Sequence, residues 1–99
     1  MVAPYEHLDT IVSAKPDQLT EMMQLSQRII GVLQKLYRPD GFNLGMNLGT
    51  AAGAGIREHF HLHVVPRWLG DANFVSVIGE TRVLPEELHT TYQRMKAVW

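Results

Sequence analysis

Three histidines, His59, His61 and His63, alternate with Phe60, Leu62 and Val64, and that spacing leaves the backbone little choice. On a strand, residues i, i+2 and i+4 share one face, whereas on a helix they point three different ways. The segment from His59 to Val65 therefore reads as a strand that buries Phe60, Leu62 and Val64 and presents three imidazoles side by side. Pro66 is expected to end it, because proline cannot donate to a ladder.

The flanking sequence supplies a partner. Gly41 to Leu48 also alternates, with Phe42, Leu44, Met46 and Leu48 directed to one side and Asn43, Gly45 and Asn47 to the other. If the two strands pair, the asparagines and Gly45 lie beside the histidines. Between them, Gly49 to Gly55 holds only small residues, which cannot build a core but let backbone approach a ligand closely. From Pro16 the period changes to 3.6: Leu19, Met22, Met23, Ser26, Ile29, Ile30, Leu33, Leu36 and Tyr37 form one stripe, predicting a helix of about 20 residues. Pro16 suits its first turn, and Arg38-Pro39-Asp40-Gly41 stops it. Gly31 inside it reads as a point of close packing against a sheet. Met1 to Tyr5 reads as an edge strand, Phe74 to Ile78 as a short strand, and Pro85 to Lys96 as a short amphipathic helix carrying Leu88, Tyr92 and Met95. The expected fold class is α+β: an antiparallel sheet with one long and one short helix packed on it.

Composition narrows the function classes. A chain of 99 residues has material for one core, so residues 1–99 are expected to form a single domain. A formal charge of -1 offers no general attraction to nucleic acid or anionic lipid. The absence of cysteine removes disulfides, thiolate nucleophiles and Cys-based zinc sites. No window of eighteen apolar residues and no basic, apolar leader is present, so neither a membrane nor a nucleic-acid partner is expected, and a cytoplasmic location is the default.

Two chemistries suit three imidazoles on one strand face. Neutral imidazole is the commonest metal ligand, so the row could ligate zinc. Alternatively one imidazole attacks phosphorus while its neighbours orient it and handle leaving-group charge and protons. The Gly49 to Gly55 loop favours the second, because backbone amides suit phosphate oxygens better than a cation. It has neither the lysine of a P-loop nor the strand-then-helix setting of a dinucleotide fingerprint.

His59-Phe-His61-Leu-His63-Val-Val has the form that gives the histidine triad family its name. Together with Gly41 to Gly49, Ala52-Gly-Ala-Gly-Ile and Pro66-Arg-Trp with Gly70-Asp-Ala-Asn-Phe, it resembles the bacterial diadenosine tetraphosphate phosphorylase-like branch. The resemblance implies cleavage or transfer at the α-phosphate of a dinucleoside polyphosphate or related nucleotide, through a covalent nucleotidyl-histidine. It implies His61 as nucleophile, His63 on the phosphate oxygens, and His59 beside the leaving group or fixing the imidazole array. By position, Asn47, Gly53 and Gly55 would bind the phosphate region, with Gly55 standing where other branches place a Ser or Thr. No metal or organic cofactor is implied, the partner is a nucleotide, and a homodimer is expected.

Attack by imidazole needs a free nitrogen lone pair. The other nitrogen of His61 should therefore donate to a carbonyl or neighbouring group, and activity should fall as acid protonates the ring. Family members carry further strands ahead of the segment matching Met1 to Tyr5, so this chain is expected to be short on its nucleoside side. The competing readings are a non-catalytic nucleotide- or phosphate-binding protein and a histidine-ligated metal-binding protein. His7 is read as a structural hydrogen-bonding residue, His89 as solvated, Trp68 and Trp99 as packing residues, and Arg67 as a surface ion-pair partner or a phosphate contact.

Overall fold

The computed structural model describes residues 1–54, 59–71 and 86–99. The expected strand at Phe74 to Ile78 and the phosphate-loop residue Gly55 lie outside the described residues, as does Pro85. The described part is an α+β arrangement. Helix α1 spans Pro16–Tyr37, strands β1 (Gly41–Met46) and β2 (Leu62–Arg67) pair antiparallel, and helix α2 spans Leu88–Ala97.

Helix α1 starts and stops where its sequence dictates. Pro16 occupies the first turn, and Gln18 reaches back so that its Oε1 accepts the Lys15 amide at 2.8 Å. The Gln18 Nε2 then donates to Glu6 at 2.9 Å, tying the N-terminal segment to the helix. At the far end Arg38 adopts φ 47°, ψ 54°, a left-handed stop followed by Pro39. The buried seam differs from the sequence stripe. Met22, Ser26, Val32 and Leu33 are buried, whereas Met23 is 54% exposed. At 100° per residue Met23 lies about 80° to one side of the Met22–Ser26–Leu33 line and Val32 about 100° to the other, so the buried face extends towards Val32 and leaves the Met23 side open. Ser26 is tolerated there because its hydroxyl donates to the Met22 carbonyl at 2.8 Å. Gly31 is not a close-packing point among the described residues, where a Cβ built on it meets nothing within 4 Å.

The sheet register pairs Gly41 with Arg67, Asn43 with Val65, Gly45 with His63 and Met46 with Leu62. Pro66 does not end β2. Leu62 exchanges both backbone hydrogen bonds with Val2, at 2.8 and 2.7 Å, so its amide points away from β1. With period two, the ring nitrogen of Pro66 points the same way and costs no bond to β1. The expected N-terminal strand is reduced to the single bridge between Val2 and Leu62. From there the segment continues past His59, and the Phe60 amide donates to the Leu8 carbonyl at 2.8 Å.

The core lies beneath the start of β2. Val2, Met22, Phe60 and Leu62 are buried together, with Leu8, Ala14, Leu25, Ile29 and Met46 packed against them. Burying side chains of this size stabilises by about 1.5–3 kcal/mol each. Only the Met46 end of β1 reaches this core; Leu44 and Leu48 remain 42% and 37% exposed. The apolar face expected along all of Phe42 to Leu48 is therefore half-buried at Phe42 and Met46 and exposed at Leu44 and Leu48.

Helix α2 docks through polar groups. Glu86, just before it, accepts from Tyr37 of α1, from Thr91 at 2.6 Å and from Arg94 at 2.7 Å, and the Arg94 guanidinium covers the Tyr37 ring at 4.8 Å. The expected stripe of Leu88 and Tyr92 is not buried, with exposures of 89% and 58%. Arg28 lies 4.4 Å from the Trp99 ring centre, fastening the end of α2 to α1.

Candidate active site

The three histidines straddle the edge of regular pairing. His63 is in β2 opposite Gly45, while His59 and His61 precede Leu62 in extended backbone held by the N-terminal segment. All three rings are half-buried, because Phe60 and Leu62 between them anchor the alternate face in the core.

Hydrogen bonding assigns the ring nitrogens. The Nε2 of His59 lies 2.7 Å from the Pro4 carbonyl oxygen, and since a carbonyl only accepts, that nitrogen carries a hydrogen. The Nδ1 of His61 lies 3.4 Å from the carbonyl of His59 and donates to it. In the neutral ring this leaves the Nε2 of His61 with its lone pair free. His63 meets His61 edge to face, with centres 4.7 Å apart and planes at 67°. His7 contributes a fourth imidazole, stacked on His59 at 4.7 Å and 22°. Its observed role is a ring contact rather than the hydrogen bond read from its position.

The glycine loop that follows Asn47 closes on itself. Thr50–Ala52 forms one 3-10 turn, flanked by Gly49 at φ 80°, ψ 162° and Gly53 at φ 84°, ψ 21°. The Asn47 amide nitrogen lies 3.9 Å from where a Gly53 side chain would begin, so Asn47 and Gly53 are neighbours as their positions suggested. The Gly53 amide, however, donates to the Thr50 carbonyl at 3.0 Å, and the Ala52 and Ala54 amides both point to Gly49. Gly53 therefore does not present a free amide to a phosphate here. Local turn closure satisfies it first.

At the far end of the same face, Arg67 is an ion-pair residue rather than a free cation. Its Nε and Nη2 meet the two Asp71 oxygens at 2.6 and 2.7 Å, and its Nη1 donates to Asn43 at 2.6 Å. Asp71 raises the Arg67 pKa by hydrogen bonding and charge. Asp71 also accepts the Trp68 amide at 3.1 Å, and Asp40 accepts that of Leu69 at 2.8 Å, so the turn after β2 is fastened to the start of β1. Trp68 is half-buried and His89 is exposed. Sequence reading missed the Pro4 carbonyl and the Asn43–Arg67 contact. The i, i+4 spacing of Asn43 and Asn47 on the triad side was the available signal for the second. Among the described residues no group of three or more His, Asp or Glu side chains is placed to hold a metal ion.

Residues 1–68 match the family model of the HIT domain. Over all 99 residues the chain is 42% identical to an AP-4-A phosphorylase of Mycobacterium tuberculosis (strain ATCC 25618 / H37Rv), covering 51% of that protein. The chain thus spans about half the length of this curated relative. A zinc-bound histidine triad family protein from Mycobacterium smegmatis superposes with a TM-score of 0.68 at 26% identity, over 94% of this chain and 63% of that one. A HIT-like protein from Bartonella henselae involved in cell-cycle regulation superposes with a TM-score of 0.70 at 19% identity, over 95% and 65%.

Proposed function

The chain belongs to the histidine triad (HIT) domain family, and from that premise we propose that it cleaves dinucleoside polyphosphates or related nucleotides at the α-phosphate, with the Nε2 of His61 as nucleophile. The observation that carries this reading is the contact between His61 Nδ1 and the His59 carbonyl, which in the neutral ring leaves the lone pair on Nε2. Attack forms a phosphorus–nitrogen bond to the α-phosphate as the bond to the leaving phosphate oxygen breaks. The oxygen departs with that electron pair and takes up a proton. An oxygen of water or inorganic phosphate then attacks the same phosphorus, the phosphorus–nitrogen bond breaks with its electron pair returning to the His61 Nε2, and any proton on the attacking oxygen passes to solvent, so His61 is neutral again.

His63 takes the role of hydrogen-bonding the phosphate oxygens, a reading supported by its edge-on contact with His61. His59 has its Nε2 committed to Pro4, so it fixes the imidazole array rather than acting on the leaving group. Asn47 stands at the loop side, where its amide suits a phosphate oxygen. Two copies are proposed to pair, and Leu44, Leu48 and Met23 supply exposed apolar surface for it.

The test is to mix the protein with a dinucleoside tetraphosphate and quench in alkali, where a phosphorus–nitrogen bond survives. Intact mass then reads the adduct. A nucleotidyl adduct mapped to His61 and absent from His61→Ala is expected. Nucleotide binding with no adduct would select the non-catalytic alternative, and full cleavage by His61→Ala would remove His61 from the mechanism.

A further inference from the structure

The imidazole face continues past the histidines. Residues directly opposite each other in an antiparallel pair share a face, so Gly45 beside His63 and Asn43 beside Val65 lie on the triad side, with Arg67 closing the row. The two flanks of the triad differ. Towards the N-terminal segment, His7 stacks on His59 and the Pro4 carbonyl takes its Nε2, so that flank is filled. Towards β1, Gly45 has no side chain, and a Cβ built on it would meet nothing within 4 Å among the described residues, which leave open floor beside His63.

Asn43 overlooks that floor in a fixed orientation. Arginine only donates, so the Asn43 Oδ1 must face the Arg67 Nη1, 2.6 Å away. Its NH2 group is turned elsewhere and has no partner among the described residues. Arg67 is in turn held through two nitrogens by Asp71, whose charge offsets its own. A pre-oriented donor therefore stands two strand positions from Gly45, roughly 6–7 Å along the face. A single phosphate seated at the triad does not span that distance, but a chain of linked phosphates does.

We infer that Asn43, with Gly45 as the floor beneath, forms a subsite for the phosphates lying beyond the one held at the triad, and so selects polyphosphate substrates by length. The position of the first phosphate rests on the reading under Proposed function. Because Arg67 and Asp71 are paired, the subsite works through placed donors rather than through a positive field, and Arg67 is a positioning residue.

The test compares the binding of inorganic tripolyphosphate and inorganic phosphate by calorimetry, in the wild-type chain, Asn43→Asp and Gly45→Val. Asn43→Asp keeps an acceptor for Arg67 and removes the donor, and thermal unfolding checks that each variant is folded. Tripolyphosphate should bind the wild-type chain more tightly than phosphate. Both variants should weaken tripolyphosphate at least tenfold and phosphate less than twofold. Equal losses for the two ligands, no loss in Asn43→Asp, or wild-type binding with no preference for tripolyphosphate would overturn the inference. Adduct formation is scored separately. A wild-type chain that forms no adduct defeats the catalytic reading, while the tripolyphosphate comparison still decides the subsite.

Discussion

The Nδ1 of His61 lies 3.4 Å from the backbone carbonyl of His59, so a peptide group, not a neighbouring side chain, sets the tautomer of the proposed nucleophile. The side chain of the same His59 turns the other way, to the Pro4 carbonyl at 2.7 Å. One residue thus links the N-terminal segment to His61 through two separable groups.

That separation gives the first prediction. His59→Ala removes the bond to Pro4, which is itself buried, and should destabilise the fold by about 1–3 kcal/mol. The backbone carbonyl remains, so His61 should still form its adduct under conditions where the variant is folded. Thermal unfolding and adduct mass measured on one sample check both halves. Loss of the adduct in a folded His59→Ala chain would assign the His59 ring to the chemistry itself.

Glycines at different backbone angles should respond with opposite signs. Gly31 has helical geometry and open space, so Gly31→Ala should stabilise by about 0.5–1 kcal/mol. Gly49, at φ 80° and ψ 162°, occupies a region that side chains essentially never adopt, and Gly49→Ala should cost about 1–3 kcal/mol although nothing crowds it. Denaturant midpoints of the two variants are the measurement, and a destabilising Gly31→Ala would mean an undetected close contact.

Docking of α2 should depend on pH at both extremes. Donation from Thr91, then Tyr37 and Arg94, lowers the Glu86 pKa from 4.5 to about 2. A carboxyl held low stabilises the folded state above its unfolded-state pKa and loses that contribution as pH falls through the folded-state value. Docking should therefore be complete above pH 4.5 and fade towards about 2. Burial and the Glu86 partner raise the Tyr37 pKa above 10.0, so its contribution is full below 10.0 and is lost as pH climbs through the raised value. Hydrogen exchange of residues 88–97 against pH reads the change. In Glu86→Gln the acid step should disappear, leaving α2 more weakly held at neutral pH.

Much of the candidate site was legible because strand periodicity is strict. The alternation at Phe60, Leu62 and the three histidines, and at Asn43, Gly45 and Asn47, predicts one shared side, and within the paired strands Gly45 does lie beside His63 and Asn43 beside Val65. The bounds of α1 were equally plain, since Pro16 and Pro39 act through their own backbone restrictions. Less legible were the events that depend on a second segment. Pro66 reads as a strand end, yet its nitrogen faces away from β1, which only the pairing register reveals. The Gly53 amide reads as a phosphate donor, yet the turn closes on it first.

Patterning in the chain thus determined which residues share a face and where the long helix runs, because side-chain direction follows from local backbone geometry. Tertiary structure decided which nitrogen of His61 is free, which flank of the triad is open and what holds Arg67. Pro4 and His59, or Asn43 and Arg67, are distant in sequence and meet only after folding, and hydrogen-bond direction exists only once donor and acceptor have been brought together.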